Sequence, residues 1–234
     1  MRRPELLWLA AFAAIAVLVA GQVVMGAGRP TLTAHASAPT VKAGIDVLSG
    51  VRVVGRRIRG GDYRRGAFGE AWDDDTGAPG GHNGCDTRND ILRRDLVETT
   101  TVATKRCATA VATGTLHDPY TNATVGFVRG NQVGAAVQID HIVPLAFAWD
   151  MGARDWPEQL RHRFANDPAN LLAVEGNANQ DKGDQPPGTW MPPNAAFHCQ
   201  YALQFIEVVR GYRLAVDEPS AQHLQQATQS CPAG

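Results

Sequence analysis

No two cysteines of the 234-residue chain stand in a CxxC spacing; the four are Cys85, Cys107, Cys199 and Cys231. Zinc knuckles draw their ligands from close cysteine pairs, so this spacing argues against one. A basic excess is missing as well: 22 Lys and Arg face 23 Asp and Glu, a net charge of −1. The segment up to Gly44 holds four of the basic residues and one of the acidic ones, so the remainder has 18 against 22, a net −4. A protein that grips nucleic acid by bulk electrostatics is basic. Attraction for a polyanion would therefore have to come from a local patch or a bound cation. One basic stretch exists, with Arg52, Arg56, Arg57, Arg59, Arg64 and Arg65, and a solvated surface is its plain alternative. Internal repeats are lacking too, which excludes a stacked-repeat architecture.

Charge is wholly missing from Leu6 to Met25, shortly after Met1-Arg2-Arg3. Such a run is long enough to span a bilayer and also suits a secretory leader. Ala34-His35-Ala36 offers a small-x-small cleavage site, though far past the apolar run, so an uncleaved anchor stays open. The positive-inside rule puts the rest of the chain outside in either case, secreted or membrane-anchored. The expected boundaries are 1–36 for a signal peptide or N-terminal anchor, 37–45 for a linker and 46–234 for one domain. A hydrophobic share of 44% and a charged share of 19% suit that single globular domain. In an exported chain the four cysteines read as two disulfides. Of three connectivities, Cys85–Cys107 with Cys199–Cys231 closes the shortest loops and is preferred.

The patterning mixes helix and strand. Helical spacing covers Asp86–Leu96, with Asp86 or Thr87 as cap, and Ala195–Tyr212. Thr99–Gly114, Thr124–Val128, Ala135–Ile139 and Asn170–Val174 read as strands, and Asp118–Asn122 as a turn. Pro144–Met151 and Gly176–Gly183 begin helices, and the tail from Glu218 is helical. Trp72-Asp73-Asp74-Asp75 does not match a calcium-loop spacing and reads as a solvated acidic turn. His82, His117, His162, His198 and His223 have no matching partners in sequence, and Trp149, Trp156 and Trp190 read as packing residues.

Gln138-Ile139-Asp140-His141-Ile142-Val143-Pro144-Leu145 carries the densest chemical signal: a carboxylate beside an imidazole at the end of an apolar run. Asn166-Asp167-Pro168-Ala169-Asn170-Leu171 and then Asn179 with Lys182-Gly183-Asp184 follow in order. An acid can hold a divalent cation while a neutral histidine takes a proton from water near neutral pH. That pairing is what phosphodiester hydrolysis needs.

This ordered set resembles an HNH-type nuclease. More closely, the chain resembles the secreted actinobacterial HNH endonuclease-like family, related to the C-terminal nuclease domain of a modification-dependent restriction system. The resemblance runs from about Tyr63 to Val216 and includes Gly84-Cys85-Asp86-Thr87-Arg88-Asn89 and Trp190-Met191-Pro192-Pro193-Asn194. It implies an α+β fold with a ββα-metal (HNH, His-Me finger) core, further helices, a small antiparallel sheet and disulfide staples. By position it implies that Asp140 ligates one divalent cation, His141 is the general base, and Asn170 orients the His141 ring. Asn179 becomes the second ligand, where the commoner pattern has histidine. An asparagine oxygen is a hard ligand, so Mg²⁺ or Mn²⁺ is expected, with Ca²⁺ next and Zn²⁺ last. Lys182 and Arg88 are the expected phosphate contacts. A solvated helix charge is the alternative for Lys182, and an ion pair with Asp74 or Asp75 for Arg88.

The expected activity is an exported metal-dependent endonuclease acting on DNA, and on RNA as a second substrate. No obligate protein partner is implied, and the membrane enters only through an uncleaved N-terminal segment. Two rivals stand beside it: a metal-assisted hydrolase of cell-wall polymers, and a non-catalytic module binding nucleic acid or the cell surface on an HNH scaffold.

Overall fold

In a computed structural model of the chain, residues 40–42, 45–130 and 136–233 are described. The leader expected over 1–36 and most of the 37–45 linker lie outside them. Among the described residues no helix is long and apolar enough to cross a membrane.

A turn over 47–50 leads into β1 (Arg52–Val54). The loop that follows contains one 3-10 turn, Arg65–Phe68, which sinks Phe68 into the core. Helix α1 (Thr87–Asp95) begins where the Asp86 carboxylate accepts the Asn89 amide hydrogen, satisfying a donor orphaned at the helix start. Strands β2 (Val97–Thr104), β3 (Cys107–His117) and β4 (Thr124–Val128) form an antiparallel sheet in the order β2-β3-β4. The single strand expected over Thr99–Gly114 is thus a hairpin turning at Lys105-Arg106. No Gly, Pro, Asn or Asp marks that turn, and every residue of β2 is exposed, so no in-out alternation betrays the break.

Strand β5 (Val137–His141) pairs antiparallel with β6 (Leu171–Glu175), with Ile139 opposite Ala173 and His141 opposite Leu171. Between them lie α2 (Leu145–Asp150), a short 3-10 turn and α3 (Glu158–Asn166). Directly after β6 comes α4 (Gly176–Lys182), capped by the Glu175 carboxylate, which accepts from the Ala178 amide. Gly183 ends it at φ 53°, a left-handed conformation that glycine adopts without strain. Helix α5 (His198–Gly211), strand β7 (Ala215–Asp217), which pairs parallel with β1, and α6 (Glu218–Thr228) complete the chain.

Two apolar clusters position the β5–β6 hairpin. Ile91 and Leu92 of α1 pack with Leu116, Phe127, Val137, Ile139 and Leu171. Phe147, Phe164, Tyr201, Phe205 and Leu224 join α2, α3, α5 and α6 in the larger cluster, which also takes Val174 and Ala178. Strand alternation puts Val137 and Ile139 toward α1, and Gln138 and Asp140 toward α4.

Both disulfides join the expected partners. Cys85–Cys107 ties the approach to α1 to the start of β3, and Cys199–Cys231 ties the first turn of α5 to the tail after α6. The second bridge spans a sequence separation of 32. The chain-entropy model assigns such a loop about 3–4 kcal/mol. The double variant Cys199→Ser/Cys231→Ser should therefore show a lower urea midpoint than the wild type, and matching midpoints would show that the bridge adds nothing to stability.

Candidate functional site

Asp140 and Lys182 meet inside the protein, the one near the end of β5 and the other at the end of α4. Lys182 is 0% exposed. Its Nζ donates to Asp140 Oδ2 at 2.5 Å and to the His141 carbonyl at 2.7 Å. Tyr120, in the turn after β3 and also fully buried, donates its hydroxyl to the same Oδ2 at 2.5 Å. Burial and the adjacent Asp140 charge hold the Tyr120 hydroxyl far above the usual phenol range, so it stays a donor. Burial also pulls the Lys182 ammonium down, and the Asp140 carboxylate opposes that. Lys182, expected at the phosphate, is therefore occupied: it neutralises Asp140 and pins α4 to β5.

His141 is held from two sides. Its Nε2 lies 2.9 Å from the Ala165 carbonyl oxygen, which can only accept. In the neutral ring Nε2 therefore carries the hydrogen, and Nδ1 keeps the lone pair. Trp72 stacks on the ring, with centroids 5.6 Å apart and planes within 14°. Burial pushes the His141 pKa down to about 3; the Ala165 bond works against this, and the Arg65 and Lys182 charges work with it. The imidazole is thus neutral near pH 7, and burial makes it a weaker base than an exposed histidine.

Asn170 is placed differently from expectation. Its side chain accepts from the Val143 amide at 2.8 Å and donates to the Val143 carbonyl at 3.3 Å, and its own carbonyl accepts from the Ile142 amide. It acts as a backbone mimic that fixes the bend after β5, while ring orientation falls to Ala165 and Trp72. Asn179 lies where a second ligand was expected, lining one cleft of about 280 Å³ with Asp140, His141, Tyr63, Arg65 and Asp184. Its amide nitrogen donates to Gln138 at 2.8 Å, which leaves its oxygen as the remaining acceptor.

The donor set is all oxygen. Oδ1 of Asp140 makes no hydrogen bond among the described residues, and no group of three or more His, Cys, Asp or Glu suited to a metal occurs among them. One carboxylate oxygen and one amide oxygen fit a hard divalent cation that keeps most of its water, and fit zinc poorly. Lys182 weakens that fit by offsetting the Asp140 charge.

Arg88 lies away from this cleft. It donates to the Val137 carbonyl at 3.0 Å, at the far end of β5 from His141, about 13 Å along a strand. Burial and the neighbouring Arg129 charge lower its pKa. The acidic turn is a backbone device: the Asp74 carboxylate accepts the Asn83 and Gly84 amides, each at 3.0 Å. His82 and His162 do have carboxylate neighbours, Asp75 at 3.5 Å and Asp73 at 3.3 Å.

Three features escape the sequence reading. Tyr120 lies inside a recognised turn signal, but nothing there announces a buried donor. The Ala165 carbonyl is backbone and carries no side-chain signature. Trp72 adopts φ 60°, unusual for a bulky residue. Its loop is held by Asp73 N donating to Asn166 Oδ1 at 3.1 Å and by Thr87 donating to the Asp73 carbonyl at 3.0 Å.

Removing one partner of a buried ion pair strands the other charge, at a cost of about 3–5 kcal/mol. Lys182→Met should lose stability of that order in chemical denaturation; an unchanged midpoint would mean that the pair does not hold the fold. The His141 shift gives a pH dependence. Between pH 6.5 and about 3 the unfolded chain binds a proton at this ring and the folded chain does not. Stability therefore falls as pH drops through that window, and the contribution is fully present above pH 6.5. With chelator present, His141→Gln should show a shallower loss over that range than the wild type. Parallel stability curves would contradict the burial argument.

Residues 86–227 match the family described as GmrSD restriction endonucleases, C-terminal domain. A protein of the fungus Arthroderma benhamiae, described as an uncharacterized secreted protein, is 38% identical over 149 residues, covering 63% of this chain and 68% of its own. No solved structure matches. The matched span contains β5, β6, α4 and every residue of the Asp140–Lys182–Tyr120 cluster, and the chain belongs to the GmrSD C-terminal domain family, a family of nucleases.

Proposed function

We propose that the chain is an exported, divalent-cation-dependent endonuclease that hydrolyses DNA, with RNA as a second substrate. The observation that carries this reading is His141: a buried neutral imidazole, tied down through Nε2, with its Nδ1 lone pair left as acceptor, in the same cleft as Asp140 and Asn179. The order β5, β6, α4 supports the ββα-metal reading of that cleft. Export is supported by two disulfides, by the apolar segment before Met25 and by the description of the fungal relative as secreted. Attachment to a membrane would involve only the N-terminal segment, and the reading requires no protein partner.

His141 takes a proton from water at Nδ1 as the water oxygen bonds to phosphorus and the bond to the leaving 3′ oxygen breaks. The Ala165 carbonyl holds the ring, and stabilises the positive charge that it gains, through the Nε2 hydrogen. Trp72 covers one ring face and limits water there. Lys182 and Tyr120 hold the Asp140 carboxylate in one orientation. A cation on Asp140 and Asn179 would supply the charge that neutralises the phosphate and the leaving oxygen, most readily as Mg²⁺ or Mn²⁺.

One observation favours the non-catalytic alternative: the Lys182 ammonium already lies on Asp140. A plasmid assay separates the two. The purified protein should nick supercoiled DNA in Mg²⁺ or Mn²⁺ and not in EDTA, and His141→Ala should lose at least about 100-fold in rate. Absence of cleavage by the wild type in any divalent ion, or equal cleavage by the variant, would refute the nuclease mechanism.

A further inference from the structure

A phosphodiester brings negative charge into a domain that is itself net negative, so some cation at the cleft must meet it. Most of the nearby cations are committed elsewhere. Lys182 is bound to Asp140 and the His141 carbonyl. Arg57, with a side chain 7% exposed, binds Asp150 at 2.7 Å and Asp184 at 3.2 Å. Arg59 binds Asp184 at 3.0 Å. Those pairs also neutralise Asp184, the other carboxylate lining the cleft.

Arg65 is different. It is exposed, lines the cleft with Asp140 and His141, and also lines a smaller niche together with Trp72, His141 and Ala165. Its guanidinium makes no hydrogen bond or ion pair among the described residues. Its backbone is nonetheless fixed. It opens the 3-10 turn whose Phe68 ring packs against Tyr63, Trp149 and Phe164. In the same turn the Ala67 carbonyl accepts from Arg161 at 2.8 Å. A free guanidinium on an anchored backbone, lining one cleft with the His141 ring, is arranged to receive an anion, and its forked donors match paired phosphate oxygens.

We propose that Arg65 forms the phosphate subsite of this cleft, its guanidinium binding the non-bridging oxygens of the phosphodiester that His141 faces. The substrate role rests on the nuclease reading above, whereas the anion site can be tested without it. Two measurements on the full chain separate them: hydrolysis of bis(p-nitrophenyl) phosphate with Mn²⁺, and binding of inorganic phosphate followed by tryptophan fluorescence, with Trp72 beside the site as reporter. Arg65→Ala should lower kcat/KM for the small diester at least about tenfold and weaken phosphate binding in parallel, with the thermal midpoint unchanged. Arg65→Lys should recover part of both, because it keeps the charge but not the fork. Arg64→Ala, exposed and outside the cleft, should stay within about twofold of the wild type.

Should the wild type bind phosphate through Arg65 yet hydrolyse nothing, the subsite stands and the nuclease reading falls. Should it hydrolyse the diester while Arg65→Ala keeps wild-type kcat/KM and phosphate affinity, the subsite is overturned and the nuclease reading stands. Equal losses in Arg64→Ala and Arg65→Ala would also overturn it, by reducing the effect to general surface charge.

Discussion

The contact on which the site depends is the buried ammonium of Lys182 against Asp140. With one group it closes two bonds, to the Asp140 carboxylate and to the carbonyl of His141. The last turn of α4 and the end of β5 are thereby locked together. Desolvating both charges is expensive, and the pair is tolerable because Tyr120 adds a second donor to the same oxygen. Tyr120 in turn belongs to an aromatic group with Trp190, Phe197 and Tyr201 that reaches into the core. Through that chain of contacts the polar center and the apolar packing of α5 are one structure.

The pair also divides Asp140 into two halves. Oδ2 belongs to the fold, and Oδ1 is left to the cleft. His141 is divided in the same way: Nε2 is spent on the Ala165 carbonyl, and Nδ1 remains. Asp140 and His141 thus each have one atom that fixes position and one left toward the cleft, which is the preorganisation that electrostatic and acid-base catalysis require. The weak charge balance of the domain is met locally. Arginines on the loop after β1 are consumed by Asp150 and Asp184, and Arg65 remains at the opening.

Local rules carried much of the fold. Asp86 before Thr87 announces the start of α1 and the spacing of Ile91 and Leu92 its buried face, whereas Gly176–Gly183, read as the beginning of a helix, holds the whole of α4. The Asp-His pair and the later asparagines mark the β5–β6–α4 region because they are chemically unusual in an apolar setting. What escaped was long-range. Lys182 reads as a phosphate contact, with a solvated helix charge as the alternative, and only the fold brings Asp140 to it from 42 residues away. The ring of His141 is oriented by a main-chain carbonyl 24 residues on, which no residue type announces. Asn170 was legible as important but not as a backbone mimic, since an amide serves equally well against a ring or a peptide group. The Lys105-Arg106 turn was hidden because β2 lacks a buried face.

In the proposed site Asp140 keeps one oxygen for a cation although Lys182 holds the other. Titrating Mn²⁺ into the protein and following the free ion by electron paramagnetic resonance tests this most directly, with Asn179→Ala as comparison because it leaves the buried pair intact. The wild type should bind one ion per chain, and the variant should bind clearly more weakly. No bound ion, or binding indifferent to Asn179, would contradict it.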